Sequence, residues 1–304
     1  MTGSLLLSPM QFRKLTAAVF LVCATPRAAI ADDWTGARGD ARGGTGLANS
    51  NDVGAISTNV ATAALTEQYD MTAGGVAGPD STWLGRIAAV DSRTSVVTLG
   101  ASYNYLSDDV PPPSAALPGW ALLDEALTNT TLHQGVSLGL AYPFMDRRIS
   151  VGVTGRFDWR ASEQEGDSDG FNFSASMAAR PYEPLTLALS VQNVLDLGYA
   201  DTRRLVDLAV RYDIGTYLAL EGQLRTEWMG NPLEESLAEH FGADVGVTEW
   251  LRLGAGWSHE DGMHRVGGGL SLVSEKAELD YSVVGEVDSS PARLWHGLDL
   301  RVHF

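Results

Sequence analysis

Lysine is nearly absent from this chain: two of its 304 residues, Lys14 and Lys276, against nineteen arginines. Cysteine occurs once, at Cys23, and no stretch offers the roughly 20 consecutive apolar residues that a membrane-crossing helix needs. Each absence excludes something. With 21 basic residues against 38 acidic ones, a formal charge of −17, there is no basic face to neutralise phosphates, so nucleic acid is excluded as a partner. A mean hydropathy of −0.04 excludes a bundle of membrane helices. It leaves open a membrane β-barrel, whose strands alternate apolar and polar residues and so average out.

The N-terminus reads as a secretory signal peptide over 1–31, with Arg13 and Lys14 as its basic region, Leu15 to Thr25 as a short apolar core and Ala29-Ile30-Ala31 as the cleavage signal. Cys23 lies inside that apolar core. Cleavage after Ala31 leaves 18 basic residues against 38 acidic ones, a formal −20, and no cysteine. An exported chain without disulfides needs another device to hold it, and closing a sheet into a barrel is one.

From about Glu67 to Phe304 one form recurs: about ten residues of period-2 alternation, then a turn signal. In 149–159, Ile149, Val151, Val153, Phe157 and Trp159 share one face, while Ser150, Gly152, Thr154, Arg156 and Asp158 share the other. The same division recurs in 217–228, 250–258 and 278–286. Fourteen such segments are centred near 72, 86, 100, 138, 154, 175, 190, 208, 222, 243, 254, 268, 281 and 299. Their connections alternate in character. Tight turns are expected around Asp91-Ser92, Met145-Asp146, Tyr182-Glu183, Asp213-Gly215, Thr248-Glu249 and Ser274-Glu275, and longer polar loops at 107–132, 160–170, 197–203, 229–236, 259–263 and 287–292.

A soluble β-sandwich alternates too, with its apolar face buried and its charged face in water. Three features favour instead an all-β, 14-stranded antiparallel transmembrane barrel. Aromatic residues (Tyr103, Tyr105, Tyr142, Trp159, Tyr212, Trp228, Trp257) stand on the apolar faces near segment ends, where interfacial girdles belong. The polar faces are rich in glycine and in Arg, Asp and Glu, as suits a crowded lumen. The chain ends in alternating Leu298, Leu300, Val302 and Phe304, and a terminal aromatic resembles the signal read by the outer-membrane assembly machinery. This places the protein in the outer membrane of a Gram-negative bacterium, with lipid around it and both termini on the periplasmic side, the side of the short turns.

Residues 32–65 do not alternate. They carry Gly36-Ala37-Arg38, Gly43-Gly44, Ala48, Asp52, Ala55, Asn59 and Ala61. In these positions the sequence resembles the superfamily of fourteen-stranded outer-membrane barrels that includes the FadL long-chain fatty-acid transporters and the PorV proteins of type IX secretion. Members open with a G-A-R, G-G-x-x-x-A, D-x-x-A, N-P-A-like segment that folds into the lumen as a hatch; here Val60 stands where proline is usual. The resemblance implies a luminal plug over 32–65 and a barrel over 66–304. A flexible glycine-rich leader is the bland alternative.

Glycines allow a plug to approach the wall closely, and Arg38, Asp40, Arg42 and Asp52 can answer charges on it. The alternation places Arg86, Arg156, Asp158, Asp207, Arg211, Glu221, Arg225, Glu227, Asp244, Arg252, Arg265, Asp280, Asp299 and Arg301 in the lumen. Mixed signs suit interlocking pairs rather than a selectivity ring. Such pairs brace plug against wall, or line a pathway.

The six histidines, His133, His240, His259, His264, His296 and His303, show no zinc-ligand spacing, and Ser258-His259-Glu260-Asp261 alternates faces, which prevents a relay. The expectation is therefore no enzyme, no metal and no cofactor. Acidic loop 160–170, with Glu163, Glu165, Asp167 and Asp169, reads as a solvated charge run, with a divalent-ion site as the alternative. Loop 107–132 carries Asp108, Asp109, Pro111-Pro112-Pro113, then Trp120, Leu122 and Leu123, an apolar patch suited to cap the mouth or catch a hydrophobic ligand. Three functions follow: passive uptake of a small hydrophobic molecule, as the FadL resemblance implies; a PorV-like, non-transporting adaptor for an envelope or secretion protein; and a small-solute channel. Uptake predicts an apolar groove leading from loop 107–132 towards a kink between strands.

Overall fold

The computed structural model describes residues 36–49, 53–79, 82–108, 131–162, 167–197, 204–227, 237–260, 262–287 and 293–304. The expected signal peptide, Asp52, Trp228, the Pro111 to Leu123 patch, Glu163 and Glu165 lie outside the described residues.

Strands form where the sequence alternates. In chain order they are β1 (Tyr69–Ala77), β2 (Trp83–Asp91), β3 (Thr98–Asp108), β4 (Thr131–Phe144), β5 (Ile149–Ser162), β6 (Ser168–Tyr182) and β7 (Leu185–Leu197). They continue as β8 (Leu205–Ile214), β9 (Leu218–Glu227), β10 (Ala238–Gly246), β11 (Leu251–Glu260), β12 (Met263–Val273), β13 (Ala277–Glu286) and β14 (Arg293–His303). Each pairs antiparallel with its sequence neighbours, and β14 returns to β1 with Leu300 opposite Ala73, closing a 14-stranded barrel. Lengths of 9 to 15 residues match a tilted strand crossing a hydrocarbon core.

The two faces invert the burial of a soluble protein. Outward positions hold large apolar side chains in the open, among them Leu138 (62% exposed), Ile87 (57%) and Leu298 (52%), whereas Asp207 (0%), Asp280 (1%) and Arg225 (4%) are buried. In water such an exterior forgoes about 25 cal/mol per Å² of apolar surface, and lipid removes that cost. Aromatics crowd both rims of the outer face. At one rim Tyr103 leans on Trp159 and Phe241 stacks on Trp257; at the other Tyr142 meets Phe144, and Tyr69 meets Phe304 at 5.1 Å.

Connections at the second rim are short, for example 183–184, 215–217 and 274–276. Two expectations need correction. The loop expected at 259–263 is shorter than that: β11 runs to Glu260 and β12 starts at Met263, which pair with each other, and Gly262 takes a φ of 75°. Conversely, the tight turn expected at Asp91-Ser92 spans 92–97.

One wall pairing breaks register within the sheet. Phe173 faces Leu195 but Ala175 faces Val191, so three residues of β7 stand opposite Ser174, and Asn193 adopts a φ of 57°. A second shift, between Ala179 and Tyr182, lies beside the 183–184 turn.

Before β1 the chain forms three short helices, α1 (Ala37–Ala41), α2 (Ala55–Thr58) and α3 (Val60–Ala63). They pack against inward-facing residues on different parts of the wall. Leu47 and Ala48 meet Ala188 and Ala209; Ile56 and Val53 meet Ala88 and Val90; Val60 meets Ala141. Alanine at these wall positions leaves the volume that the segment fills.

Candidate functional site

The inner wall and the segment 36–65 form the candidate site, and its lower part, towards the short turns, is an ion-pair network. Gly36, at φ 94°, turns the chain so that the first amide of α1, Ala37 N, donates to Asp299 Oδ2 at 2.6 Å. A helix N-terminus facing a carboxylate is a favourable pairing. Arg38 then spreads its fork: Nη1 donates to Glu278 and Nη2 to Asp244, each at 3.1 Å. Arg42, 1% exposed, donates to Glu221 at 3.3 Å, and Glu221 also accepts from Ala48 N at 3.0 Å. Arg211, Arg252 and Arg301 of the wall complete the pairing on Glu221 and Glu278. Buried charges of both signs thereby meet partners, without which their desolvation would be prohibitive.

Glycines of the wall explain how closely the segment approaches. A Cβ at Gly256 would lie 2.0 Å from the Arg42 carbonyl carbon, one at Gly267 2.3 Å from the Asp40 oxygen, and one at Gly242 2.5 Å from the Arg42 oxygen. Gly43 and Gly44 bend the chain after α1, at φ 72° and 80°, and the Gly43 oxygen meets His240 Nδ1 at 2.9 Å. On the other side, Gly139 and Gly152 make room for Val60. This resolves the departure at Val60: it occupies the first position of α3, where proline is also favoured, and fills a socket made by two glycines. Asn59 caps that helix, its side chain accepting from Ala61 N.

The half nearer the long loops differs. Its β7 to β13 side is polar: Asp207 accepts from Gln192, Gln223 and Arg225, Arg225 reaches Glu260, and Arg265 lies between Glu260 and Glu286. Asp158 pairs with Arg156 at 2.7 Å and with His133 at 3.4 Å. On the β13 to β3 side one inward row is apolar, above Arg86 and Asn104. Val284 faces Trp295, whose ring covers Gly78, and Val76, Leu84 and Leu106 stand opposite one another in register on β1, β2 and β3. All five point inward, and Leu106 stands three residues before the connection 109–130. At the opposite end a cavity of about 560 Å³ opens beside Arg38, Arg180, Arg211 and Arg252, with Glu183, Asp213 and Asp244 among its walls.

Against this geometry, known structures can be compared. No family model and no curated protein matches the chain. Solved structures do: the toluene transporter TbuX of Ralstonia pickettii superposes with a TM-score of 0.67 at 12% identity, over 90% of this chain and 99% of that one. The monoaromatic hydrocarbon channel CymD follows at 0.66 and 9%, over 88% and 97%. A FadL homologue of Pseudomonas aeruginosa gives 0.59 and 10%, over 88% and 98%. The fold is that of the FadL-type barrels. At these identities the likeness is one of backbone architecture, and residue roles have to be read from this chain.

On that fold, the residues singled out from sequence fall as follows. Arg86, Arg156, Asp158, Asp207, Arg211, Glu221, Arg225, Asp244, Arg252, Arg265, Asp280, Asp299 and Arg301 all sit on the inward face, with Gly36, Arg38, Gly43, Gly44 and Asn59 on the segment beside it. Ser258 points inward while His259 points outward and stacks on His264 at 4.5 Å. The alternation put Glu278 on the polar face of 278–286 but not among the lumen charges singled out, although three arginines share it, and Arg147 was left out altogether. The latter closes a turn in which Met145, Asp146 and Arg147 all have positive φ, and it donates to the carbonyls of Ala64 and Ser92 at 2.9 and 2.7 Å. The apolar strip was also missed. Its signal was present as adjacent apolar pairs that break the alternation: Trp83-Leu84, Tyr105-Leu106, Val283-Val284 and Leu294-Trp295.

Proposed function

We propose that this chain is a Gram-negative outer-membrane barrel, plugged by residues 36–65, that takes up small hydrophobic molecules passively. The observation that carries the reading is the strip Val284, Trp295, Val76, Leu84 and Leu106, an apolar lane inside an otherwise charged lumen and adjoining the long loop after β3. The fold shared with toluene and monoaromatic hydrocarbon channels supports it. In this reading a molecule enters from the long-loop side, rests on the strip, and leaves sideways at the β6 to β7 register break rather than downward through the ion-pair network. The short turns and both termini face the periplasm, and Phe304, exposed just after the last strand, serves the assembly machinery.

The test is uptake of labelled toluene by Gram-negative cells lacking their own hydrocarbon channels. Expression should accelerate accumulation, and Leu84→Asp with Leu106→Asp should abolish the gain while leaving the folded, heat-modifiable band. Rates equal to those of cells without the protein would sink the reading. The second reading, a non-transporting adaptor for an envelope protein, is favoured by one specific observation: the segment is tied to both sides of the wall, by Arg42 to Glu221 on β9 and by Ser150 and Ser190 to the carbonyls of Ala61 and Thr58. Stoichiometric co-purification of an envelope protein, together with background uptake, would select it.

A further inference from the structure

We propose that the lipid-facing side of β10, β11 and β12, at the rim of the long loops, binds the saccharide head of an outer-leaflet glycolipid. This rests on the orientation given above, which puts that rim in the outer leaflet. Three cross-strand rows, taken from the rim towards the middle of the barrel wall, support it. In the first, Glu239, His259 and His264 stand opposite one another in register. In the second, Phe241 faces Trp257 with ring centroids 5.9 Å apart, and the imidazoles of His259 and His264 lie 6.3 and 5.7 Å from the same indole. These three ring planes depart from that of Trp257 by 18°, 12° and 25°, so the four rings share one orientation. In the third row, Ala243, Ala255 and Gly268 lie side by side, and a Cβ added at Gly268 would meet nothing within 4 Å.

An interfacial girdle needs aromatic side chains and nothing more. Here a carboxylate and two imidazoles also point outward, and in hydrocarbon each would forfeit its hydrogen bonds, so the first row marks the headgroup layer. Two residues of antiparallel strand span about 7 Å, which puts the third row about 14 Å deeper, among acyl chains. Polar, aromatic and small residues thus follow one another in the order in which a glycolipid presents hydroxyls, sugar ring and chain. Glu239 accepts hydrogen bonds and each neutral imidazole both donates and accepts, the mixture that neighbouring sugar hydroxyls call for. The rings offer apolar surface to the C–H face of a pyranose, and the furrow over Ala243, Ala255 and Gly268 leaves room for a chain against the wall. A phosphodiester headgroup instead brings anionic oxygens up to Glu239 and has no such face for the rings. The other aromatic pair at this rim, Tyr103 on Trp159, has its hydroxyl already engaged, by Gln134 at 2.8 Å.

The experiment compares lipid A with cardiolipin, which has the same number of phosphates and a comparable set of acyl chains but glycerol in place of sugar. Folded, heat-modifiable protein in detergent is given equal amounts of the two, and the lipid it retains is read by native mass spectrometry. The wild type should retain lipid A about 10-fold or more over cardiolipin, as two neutral hydrogen bonds provide. Trp257→Leu, and separately His259→Leu with His264→Leu, should bring lipid A down towards the cardiolipin level and leave cardiolipin unchanged. Equal retention of the two lipids by the wild type overturns the proposal, and so does parallel loss of both in the variants, which leaves an apolar rim without choice of headgroup. Orientation is read separately: a membrane-impermeant maleimide should label Asp167→Cys in intact cells and Glu275→Cys only after permeabilisation, with the wild type as blank. The reverse pattern puts these rows in the inner leaflet and overturns the orientation and the site together, whereas the expected pattern with equal lipid retention overturns the site alone.

Discussion

Replacing Gly256 by valine separates the segment 37–49 from the wall without altering the wall. Gly256 faces inward on β11, opposite Gly242 on one side and Gly267 on the other. A β-branched residue suits the strand itself. Its Cβ, however, would lie 2.0 Å from the Arg42 carbonyl carbon and 2.4 Å from Gly43 N, where carbon contacts settle at about 3.5–4.0 Å. The chain after α1 must retreat by about 1.5 Å or more, which carries the 3.3 Å contact of Arg42 with Glu221 and the 2.9 Å contact of Gly43 O with His240 beyond hydrogen-bond range. One charge-assisted and one neutral hydrogen bond are together worth about 2–5 kcal/mol. By the factor of ten per 1.4 kcal/mol, this segment leaves the wall about 30-fold to several thousand-fold more often. Amide hydrogen exchange over 37–49 reads that population, and it should accelerate by this factor while exchange in the strands stays unchanged. Gly268→Val is the control: a Cβ there meets nothing within 4 Å. Unchanged exchange in Gly256→Val, or equal acceleration in both variants, would refute the account of the glycine cradle.

Leu298→Arg, on the lipid face in the middle of β14, should cost about 2–4 kcal/mol in a denaturant titration against vesicles; no cost would place that face elsewhere than in lipid. Asp207→Ala strips Arg225 of its 2.6 Å partner in a fully buried position and should destabilise by about 3–5 kcal/mol, with Asp207→Ala plus Arg225→Met recovering much of the loss in the same titration. Deleting Phe304, which packs on Tyr69 and whose carbonyl accepts from Arg93 at 2.7 Å, should lower the fraction of protein that reaches the heat-modifiable form in cells.

What could be read from the sequence was whatever a period of two encodes. All fourteen segment centres fall inside a strand, and the division of β5 into Val151, Val153 and Phe157 against Thr154, Arg156 and Asp158 is the division between lipid and lumen. Pairings were not legible, because alternation states which way Glu278 points and not that Arg38, 240 residues away, meets it. Neither were exceptions to the pattern. Trp295 and Leu84 occupy the polar phase of their strands, and a count of matches treats them as noise, although they mark the stretch where the lumen is apolar. The 259–263 connection failed for a related reason: His259 and His264 look like loop residues, yet they are outward strand positions at an interfacial rim, where histidine stacked beside Trp257 is accommodated.

The scarcity of lysine follows from the same interior. Arg38 serves Asp244 and Glu278 with different nitrogens, and Arg225 reaches Asp207 with one and Glu260 with another. A planar fork can bridge carboxylates on separate strands, which a single ammonium on a flexible stem does poorly. That bridging also constrains any route through the barrel. Moving the segment 36–49 aside breaks at least the contacts of Ala37 with Asp299, of Arg38 with Glu278 and Asp244, and of Arg42 and Ala48 with Glu221. At about 1.5–3 kcal/mol each, these sum to roughly 8–15 kcal/mol, comparable with the stability of a whole domain. A neutral hydrophobic molecule has no charge with which to replace them. Between β6 and β7, by contrast, three residues already stand opposite one, so the ladder is interrupted there before anything passes. In the proposed uptake, the energetics therefore send the molecule sideways into the lipid that its own chemistry prefers, while the segment 36–49 stays in place as the floor against which it turns.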